Sequence, residues 1–415
     1  MKLTRILLPT LLALPLAAAS LQVAKPEDVG LSSERLKRIS ELMDRRIKAG
    51  DIAGAVTIVA RRGRIAHFEA QGLVDLESKK PMAKDALFRI ASMSKPVTGV
   101  AILMLVEEGK IRLTDPVSKF IPEFRGIKVA VPQPSRGPAP AAAPAAPATP
   151  QFYTVPADRE ITIRDLLTHT SGLASGPMSN SEAAKVARKP TETLADYIPR
   201  LGSTPLEFQP GSRWAYSPGA GFDTLGRIVE IVSGLNFDQF LRQRVFGPLE
   251  MTDIFFYPPN DKLARVAPVY QRRDGKMVRQ DANLTNRVYF SGAGGLMSSA
   301  EDYLPLGVML ANGGQLNGKR LLSPKTVEMM GSPHALDTLP GRQRGESFGL
   351  SVRVVNDHVA RVSPLTDGSF GWSGAFGTHF WVDPKEKMAA VLMVQTSNGE
   401  ISRDFEQAVI QSIVE

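Results

Sequence analysis

Ser92 and Lys95 are a candidate pair of nucleophile and base. They lie three residues apart just before the apolar stretch Val97 to Val106, so a helix starting here places both on one face of its first turn. A serine hydroxyl becomes an effective nucleophile when a neighbouring base takes its proton. A lysine in a desolvated pocket can be that base, because burial disfavours the ammonium and lowers its pKa. Such a four-residue pattern arises roughly once by chance in a chain this long, and an isolated pair is more often a capping serine and a surface lysine.

Tyr216 and His169 are further candidates for proton transfer. Tyr216 lies in a loop, and a tyrosine beside an ammonium can share base or acid duty with a lysine. A loop tyrosine by itself is more often a packing residue. His169, in the segment ITIRDLLTHTSGL, would be the base of a Ser–His enzyme. We favour a structural histidine that ties the loop down, because Lys95 already fills the role of base.

The elements around these residues predict an α+β fold. An amphipathic helix from Leu31 to Ala49, capped by Ser32 or Ser33, comes first. A β-hairpin that turns at Arg62-Gly63 follows, and then the helix that begins near Ser92 and ends at Gly109. Within Ile161–Leu173 we predict a short helix capped by Thr162 and a loop at Ser171-Gly172. Further helices are predicted over Phe222–Ser233, Phe237–Leu249, Ala300–Ala311, which Ser298 or Ser299 would cap, and Ile401–Val414. Strands are predicted over Ala55–Arg61, Arg64–Gly72, Phe348–Val355, His358–Ser363, Gly368–Ser373, Thr378–Val382 and Ala389–Gln395.

This order predicts two lobes with the site between them. Residues 20–110 and 286–415 would form an α/β lobe with one antiparallel sheet, and residues 111–285 a mostly helical lobe. The helical lobe includes a Pro/Ala-rich insertion at 129–156. The composition of its centre, residues 132–151, predicts an extended, mobile segment, and we favour a surface insertion over a lid.

The composition excludes several kinds of site. The chain has no cysteine, which rules out disulfides, cysteine nucleophiles and thiolate metal sites. Its five histidines are scattered and form no paired metal-binding motif, so we expect neither a metal nor another cofactor. The net charge of +8 comes from dispersed basic residues, which argues against nucleic-acid binding.

Residues 1–19 have the pattern of a signal peptide. Lys2 and Arg5 precede an apolar stretch from Ile6 to Leu16, and Ala17 to Ala19 fits a cleavage site. The apolar stretch is too short for a membrane anchor, so we expect export to the periplasm or medium, with no stable membrane insertion after cleavage.

Three separated motifs carry a family resemblance: Ser92-Met93-Ser94-Lys95, Tyr216-Ser217-Pro218 and the stretch from Phe370 to Gly374. With LLTHTSGL, PGSRWAYS, GAGGLMSSAEDY and FWVDP, they resemble the serine β-lactamase-like superfamily. The resemblance spans residues 25–413 and is greatest to the family VIII carboxylesterases and to the fungal acyltransferase that builds statin side chains. It implies a β-lactamase/transpeptidase-like fold, with an antiparallel sheet flanked by helices and a mostly helical lobe.

The resemblance also implies roles for residues of the site. Ser92 would be the acylated nucleophile, and Lys95 and Tyr216 would form the base system. The backbone amides of Ser92 and Ala375 would form the oxyanion hole. Substrate would lie along a strand that ends in Trp372, Ser373 and Gly374.

Two departures from the family pattern bear on the substrate. Penicillin-recognising members have an asparagine where this chain has Pro218, and a Lys-Thr/Ser-Gly sequence where it has Trp372-Ser373-Gly374. The missing lysine would contact a substrate carboxylate, and the missing asparagine an acylamino side chain. A tryptophan offers an apolar wall instead, which favours neutral small-molecule esters.

Several alternatives remain open at this stage. A class C-like β-lactamase or a D-alanyl-D-alanine peptidase shares the acylation chemistry, and so does an acyltransferase or small-amide hydrolase. A degenerate envelope-binding relative is disfavoured because the serine, lysine and tyrosine are all present. The absence of a G-x-S-x-G motif excludes an α/β-hydrolase elbow. The sequence leaves the oligomeric state open.

Overall fold

The structure is a computed structural model that describes residues 21–134, 150–280, 284 and 287–415. The predicted signal peptide, residues 1–19, and most of the centre of the Pro/Ala-rich insertion lie outside the described residues.

An eight-stranded antiparallel sheet forms the centre of the fold, and it joins strands from both ends of the described chain. The hairpin predicted at Arg62-Gly63 is confirmed, and both residues have the positive φ that a tight hairpin turn requires. In spatial order the strands are Glu346–Phe348, Arg353–Val355, Phe370–Ser373, His379–Asp383, Met388–Met393, Gly54–Arg61, Arg64–Asp75 and Lys80–Pro81.

Both faces of the sheet are covered by helices, which explains why the strand Gly54–Arg61 is buried along its whole length. On one face, Ser33–Lys48 packs against the terminal helix Gly399–Ile410 and encloses Val59 and Trp381. On the other face, Ala300–Ala311 packs across the central strands. Side chains therefore alternate between two apolar cores.

The nucleophile helix, Ser94–Glu107, lies in the larger core, and its residues Ser94 to Leu105 are all buried. It contacts the helix Ala220–Ser233. Gly99 is required for packing, because a Cβ atom there would lie 2.0 Å from Ser351 Oγ. The remaining α-helices are Ile163–Leu167, Pro177–Lys185, Leu194–Tyr197, Phe237–Leu241, Pro324–Met330 and His358–Arg361. Phe237–Leu241 continues into a π-helical turn, Arg242–Phe246.

The ends of the Pro/Ala-rich insertion form two paired strands, whereas the extended, mobile segment is predicted for its centre, most of which lies outside the described residues. Lys128–Pro132 and Phe152–Pro156 pair as antiparallel strands. Val129 and Ala130 are buried, because the first strand also bonds to Leu206. The range 111–285 contains a second hairpin, between Val269–Arg273 and Lys276–Gln280. The division into two lobes stays a prediction.

Two element predictions are corrected. His358–Ser363 contains a helical turn rather than a strand, because Asp357 caps it by accepting from the Ala360 amide. Phe348–Val355 is interrupted by a turn at Ser351, which has a φ of 71°. The short helix predicted within Ile161–Leu173 ends at Leu167, since His169 adopts a φ of 58°. The predicted caps Ser32, Thr162 and Ser299 are confirmed.

Candidate active site

Ser92 lies in a tight helical turn, Ala91–Met93, that leads into the nucleophile helix. The preceding residue, Ala91, has a φ of 44°, a left-handed conformation that costs energy in a residue with a Cβ atom. The turn is held from both sides. The Ser94 hydroxyl accepts a hydrogen bond from the Leu296 amide (3.1 Å), and the Tyr303 hydroxyl donates to the Met93 carbonyl (2.7 Å).

Lys95 is fully buried and lies beside Ser92, with 3.2 Å between Lys95 Nζ and Ser92 Oγ. The same nitrogen donates to the carbonyl oxygens of Pro218 and Ala293, each at 2.9 Å. Burial lowers the pKa of Lys95 to about 7, although the charge of Asp223 acts in the opposite direction. A neutral amine has two hydrogens and one lone pair. If the carbonyls take both hydrogens, the lone pair faces Ser92.

Tyr216 completes the cluster, because its hydroxyl donates a 2.6 Å hydrogen bond to Ser92 Oγ. Lys95 Nζ lies 4.9 Å from the centroid of the Tyr216 ring. Burial raises the pKa of Tyr216 above its usual value, although the hydrogen bond with Ser92 acts in the opposite direction. The resting side chain is therefore a phenol, which can donate a proton.

Asp223 is a buried residue near Lys95 that sequence reasoning missed. Its carboxylate accepts from the Tyr289 hydroxyl (2.7 Å), the Ser291 hydroxyl (2.6 Å) and the Ala293 amide (3.0 Å). It thereby holds the segment whose Ala293 carbonyl binds Lys95. Burial raises the pKa of Asp223 above its usual value, although these three hydrogen bonds and then the charge of Lys95 act in the opposite direction. The available signal was an acidic residue on the apolar start of the helix Ala220–Ser233.

His169 is buried and binds the loop that carries Tyr216. Its Nδ1 accepts a hydrogen bond from the Ser217 amide (3.1 Å), and its carbonyl accepts from the Ala215 amide. Its ring packs 4.7 Å from that of Tyr216, between centroids. Burial, and then the charges of Lys95 and Arg342, lower the pKa of His169 well below its usual value. These contacts agree with a histidine that ties the loop down.

The site strand, Phe370–Ser373, runs beside the turn that carries Ser92. It is not an outermost strand, because Phe370 and Gly371 pair with Arg353–Val355. Trp372 and Ser373 extend past that partner and pair only with the strand on their other side. The Trp372 ring lies 5.7 Å from that of Tyr216 and 5.1 Å from that of Phe348, between centroids.

The residues after the site strand are tied to the Ser92 turn. The Gly374 amide donates to the Thr378 carbonyl (2.7 Å), and the Thr378 hydroxyl donates to the Ile90 carbonyl (3.2 Å). Gly374 has no room for a side chain, because a Cβ atom would lie 2.3 Å from the Ile90 oxygen. The exposed residue Ala375 therefore follows a backbone segment fixed against the entrance of Ser92.

Ser373 is also part of a hydrogen-bonded chain that the sequence did not indicate. Its Oγ lies 2.8 Å from His379 Nδ1, and His379 Nε2 lies 3.0 Å from Glu406 Oε1. Within the part of the chain that the structure describes, no cluster of three or more His, Asp and Glu side chains could hold a metal ion. In the same part of the chain, no helix has the length and apolar character needed to span a membrane.

Residues 38–414 match the β-lactamase family. The protein belongs to this family. The match covers nearly all of the described chain, and the antiparallel sheet flanked by helices is the β-lactamase/transpeptidase-like fold that the motifs predicted.

Relatives of this β-lactamase family member include proteins named as esterases. Esterase EstB of Burkholderia gladioli is 30% identical over 389 residues, which cover 87% of this chain and 90% of EstB. Protein Rv1367c of Mycobacterium tuberculosis strain H37Rv is 37% identical, over 84% of this chain and 86% of its own. The solved structure of EstCE1, described as a hydrolase with promiscuous acyltransferase activity, superposes with a TM-score of 0.76. It is 25% identical and covers 91% of this chain and 99% of its own. The chain is thus an enzyme of the serine hydrolase type.

Proposed function

We propose that the protein hydrolyses small neutral carboxylic esters through an acyl-enzyme on Ser92. The observation that carries the proposal is the arrangement at Lys95. This buried amine has a lowered pKa, and with its two hydrogens on the carbonyls of Pro218 and Ala293 its lone pair faces Ser92 Oγ. The similarity to Esterase EstB supports ester cleavage as the reaction.

Acylation would begin with transfer of the Ser92 proton to the neutral amine of Lys95 as Ser92 Oγ attacks the ester carbonyl carbon. The carbonyl oxygen becomes an oxyanion and accepts hydrogen bonds from the amides of Ser92 and Ala375. Loss of one such donor commonly costs about 3–4 kcal/mol of transition-state stabilisation. The rigid attachment of Gly374 to the Ser92 turn would keep the two amides at a fixed spacing.

Tyr216 would act as the proton donor to the leaving alcohol. Its phenol lies 2.6 Å from Ser92 Oγ, so its hydroxyl proton can pass to the leaving oxygen. The proton that Lys95 takes from Ser92 would then restore the phenol. When the carbon–oxygen bond breaks, the alcohol leaves with the proton from Tyr216. Water then attacks the acyl-enzyme with the same groups in reverse order, which restores Ser92 and releases the acid.

The walls of the site favour neutral acyl groups. The half-buried Trp372 presents aromatic surface next to Tyr216, at the place where penicillin-recognising relatives are expected to have a lysine. The fully buried Phe348 packs against the Trp372 ring and supports it. The Pro218 carbonyl already accepts a hydrogen bond from Lys95, and the Pro218 side chain has no group that could hydrogen-bond to an acylamino substituent. Lactams would then lack both of their usual polar anchors.

The test compares p-nitrophenyl butyrate with a chromogenic cephalosporin for the wild type, Ser92→Ala and Ser203→Ala. Ser203 is an exposed serine and serves as the matched control. We expect rapid ester turnover, little lactam turnover, and loss of turnover only in Ser92→Ala. Ester turnover that survives in Ser92→Ala would overturn the mechanism, and equal turnover of both substrates would favour a β-lactamase.

Acyl transfer is a second candidate, because EstCE1 is described as having promiscuous acyltransferase activity. The acyl-enzyme is common to both reactions, so they differ only in whether water or another nucleophile attacks it. Added alcohol should yield a new ester at the expense of the free acid if transfer competes with hydrolysis.

We also propose that residues 1–19 direct export and are removed. The charged start, the apolar stretch and the Ala17–Ala19 site support this proposal. Mass spectrometry of the protein from a periplasmic fraction should show a chain that begins at Ser20. Recovery of the uncleaved chain from the cytoplasm would contradict export.

A further inference from the structure

Ser373, His379 and Glu406 form a hydrogen-bonded relay that the mechanism above does not use. His379 is fully buried and Glu406 is 2% exposed, whereas Ser373 at the end of the site strand is only half-buried. The relay therefore begins deep in the protein and ends on a half-buried hydroxyl of the strand that runs beside the Ser92 turn.

The buried end of the relay fixes the tautomer of His379. Glu406 accepts a hydrogen bond from Arg353 (2.8 Å) and lies 3.7 Å from Arg361. Burial raises the pKa of Glu406, but His379, Arg353 and Arg361 outweigh it and hold the pKa at about 2. An ionised carboxylate only accepts hydrogen bonds, so His379 Nε2 carries a hydrogen and donates it to Glu406.

The other ring nitrogen then has a free lone pair. Burial, and then the charges of Arg353 and Arg361, lower the pKa of His379 in spite of Glu406, so the ring is neutral near pH 7. A neutral ring that carries its hydrogen on Nε2 accepts at Nδ1. The Ser373 hydroxyl, 2.8 Å away, therefore donates its only proton to His379.

Ser373 is left with oxygen lone pairs and no hydrogen to offer a substrate. It extends beyond the pairing between the site strand and Arg353–Val355, so neighbouring main chain does not cover it on that side. It lies two residues before Ala375, which is in the turn that follows the site strand. An acyl group whose carbonyl oxygen rests at the Ala375 amide can place a nearby substituent against Ser373.

We propose that Ser373 determines specificity by accepting a hydrogen bond from the acyl group. The substrates it favours are esters whose acyl chain carries a donor, a hydroxyl or an amide N–H, close to the carbonyl. An acyl carboxylate would be disfavoured, because it would meet the lone pairs of Ser373 without a proton between them. This inference rests on the proposed esterase function and narrows its substrate class.

Three p-nitrophenyl esters with the same four-carbon chain test the proposal: 3-hydroxybutyrate, butyrate and hemisuccinate. We expect the wild type to prefer 3-hydroxybutyrate in kcat/KM and to be slowest with hemisuccinate. In Ser373→Ala the ratio of 3-hydroxybutyrate to butyrate should fall about tenfold, the usual effect of one hydrogen bond. An unchanged ratio, or hemisuccinate as the best substrate, would overturn the proposal.

His379→Phe tests the relay itself, because it keeps a flat ring and removes the acceptor for Ser373. The freed hydroxyl can then donate, so hemisuccinate should gain about tenfold relative to butyrate. An equal ratio in wild type and His379→Phe would show that His379 does not control Ser373.

Nitrogen-15 NMR of histidine-labelled wild type does not depend on any buried substitution. We expect His379 to show a protonated Nε2 and an unprotonated Nδ1 at pH 7, and we expect its Nδ1 signal to move in Ser373→Ala. A doubly protonated ring, or a hydrogen on Nδ1, would overturn the proposal.

The outcomes separate this inference from the function on which it rests. If wild type hydrolyses butyrate and Ser92→Ala does not, the esterase proposal stands whatever the acyl preference. If the substrate ratios then stay unchanged in Ser373→Ala, only the role of Ser373 is wrong. If wild type hydrolyses none of the three esters, both proposals fail.

Discussion

Lys95 is the residue at which burial and charge oppose each other most directly. Burial in the larger core disfavours the ammonium, while Asp223 favours it, and the balance leaves a pKa of about 7. The base is the neutral form, which is the minor form below that pH. The ester kcat/KM should therefore rise about tenfold per pH unit below pH 7 and level off above it. A profile without a break near pH 7 in the wild type would exclude Lys95 as the titrating base.

Tyr216 differs from Lys95 because its raised pKa makes it an acid at neutral pH. Tyr216→Phe keeps the ring packing and removes the proton donor. We expect a loss of about 10²-fold or more with ethyl esters, whose alcohol must be protonated to leave. The loss should be much smaller with p-nitrophenyl esters, whose leaving group departs as an anion. Equal losses with both substrates would argue against proton donation by Tyr216.

At the scale of elements, the helix Ala220–Ser233 contributes to the site through Asp223. Asp223→Asn removes the negative charge that raises the pKa of Lys95, so the acidic limb of the pH profile should move to lower pH. The exposed acid Asp261→Asn is the matched control, and we expect no shift from it. A limb that stays in place in Asp223→Asn would mean that Asp223 only holds the Tyr289–Ala293 segment. A limb that moves to higher pH would contradict the charge argument.

At the scale of the whole molecule, Arg61 joins both ends of the described chain to the central sheet. It is 3% exposed, and it donates to the carbonyls of Val29 (2.9 Å), Gly30 (2.8 Å) and Glu415 (2.6 Å). Arg61→Met would leave these carbonyls without their donor, so the free energy of unfolding should fall by about 1–3 kcal/mol. Urea unfolding measures the change. Arg62→Met, at the exposed neighbour, should leave the midpoint nearly unchanged, and an equal fall in both variants would contradict the role of Arg61.

The family, the fold class and the candidates Ser92, Lys95 and Tyr216 could be predicted from the sequence alone. Their motifs are local: a serine and a lysine one helical turn apart, an apolar helix behind them, and capping residues such as Ser32, Thr162 and Ser299. Local patterns also predicted most strands, since alternation and turn residues act over a few positions. His358–Ser363 was wrong because one cap from Asp357 outweighed its strand-like composition.

The protonation states of the site residues depend on the tertiary structure. The pKa of Lys95 depends on burial and on Asp223, which lies 128 positions further along the chain. The proton of Ser373 depends on His379, Glu406 and two arginines that meet only where the sheet packs against the terminal helix. Desolvation and charge act through space, so no local pattern records them. The sequence supplies the reacting groups, and the packing sets their protonation states.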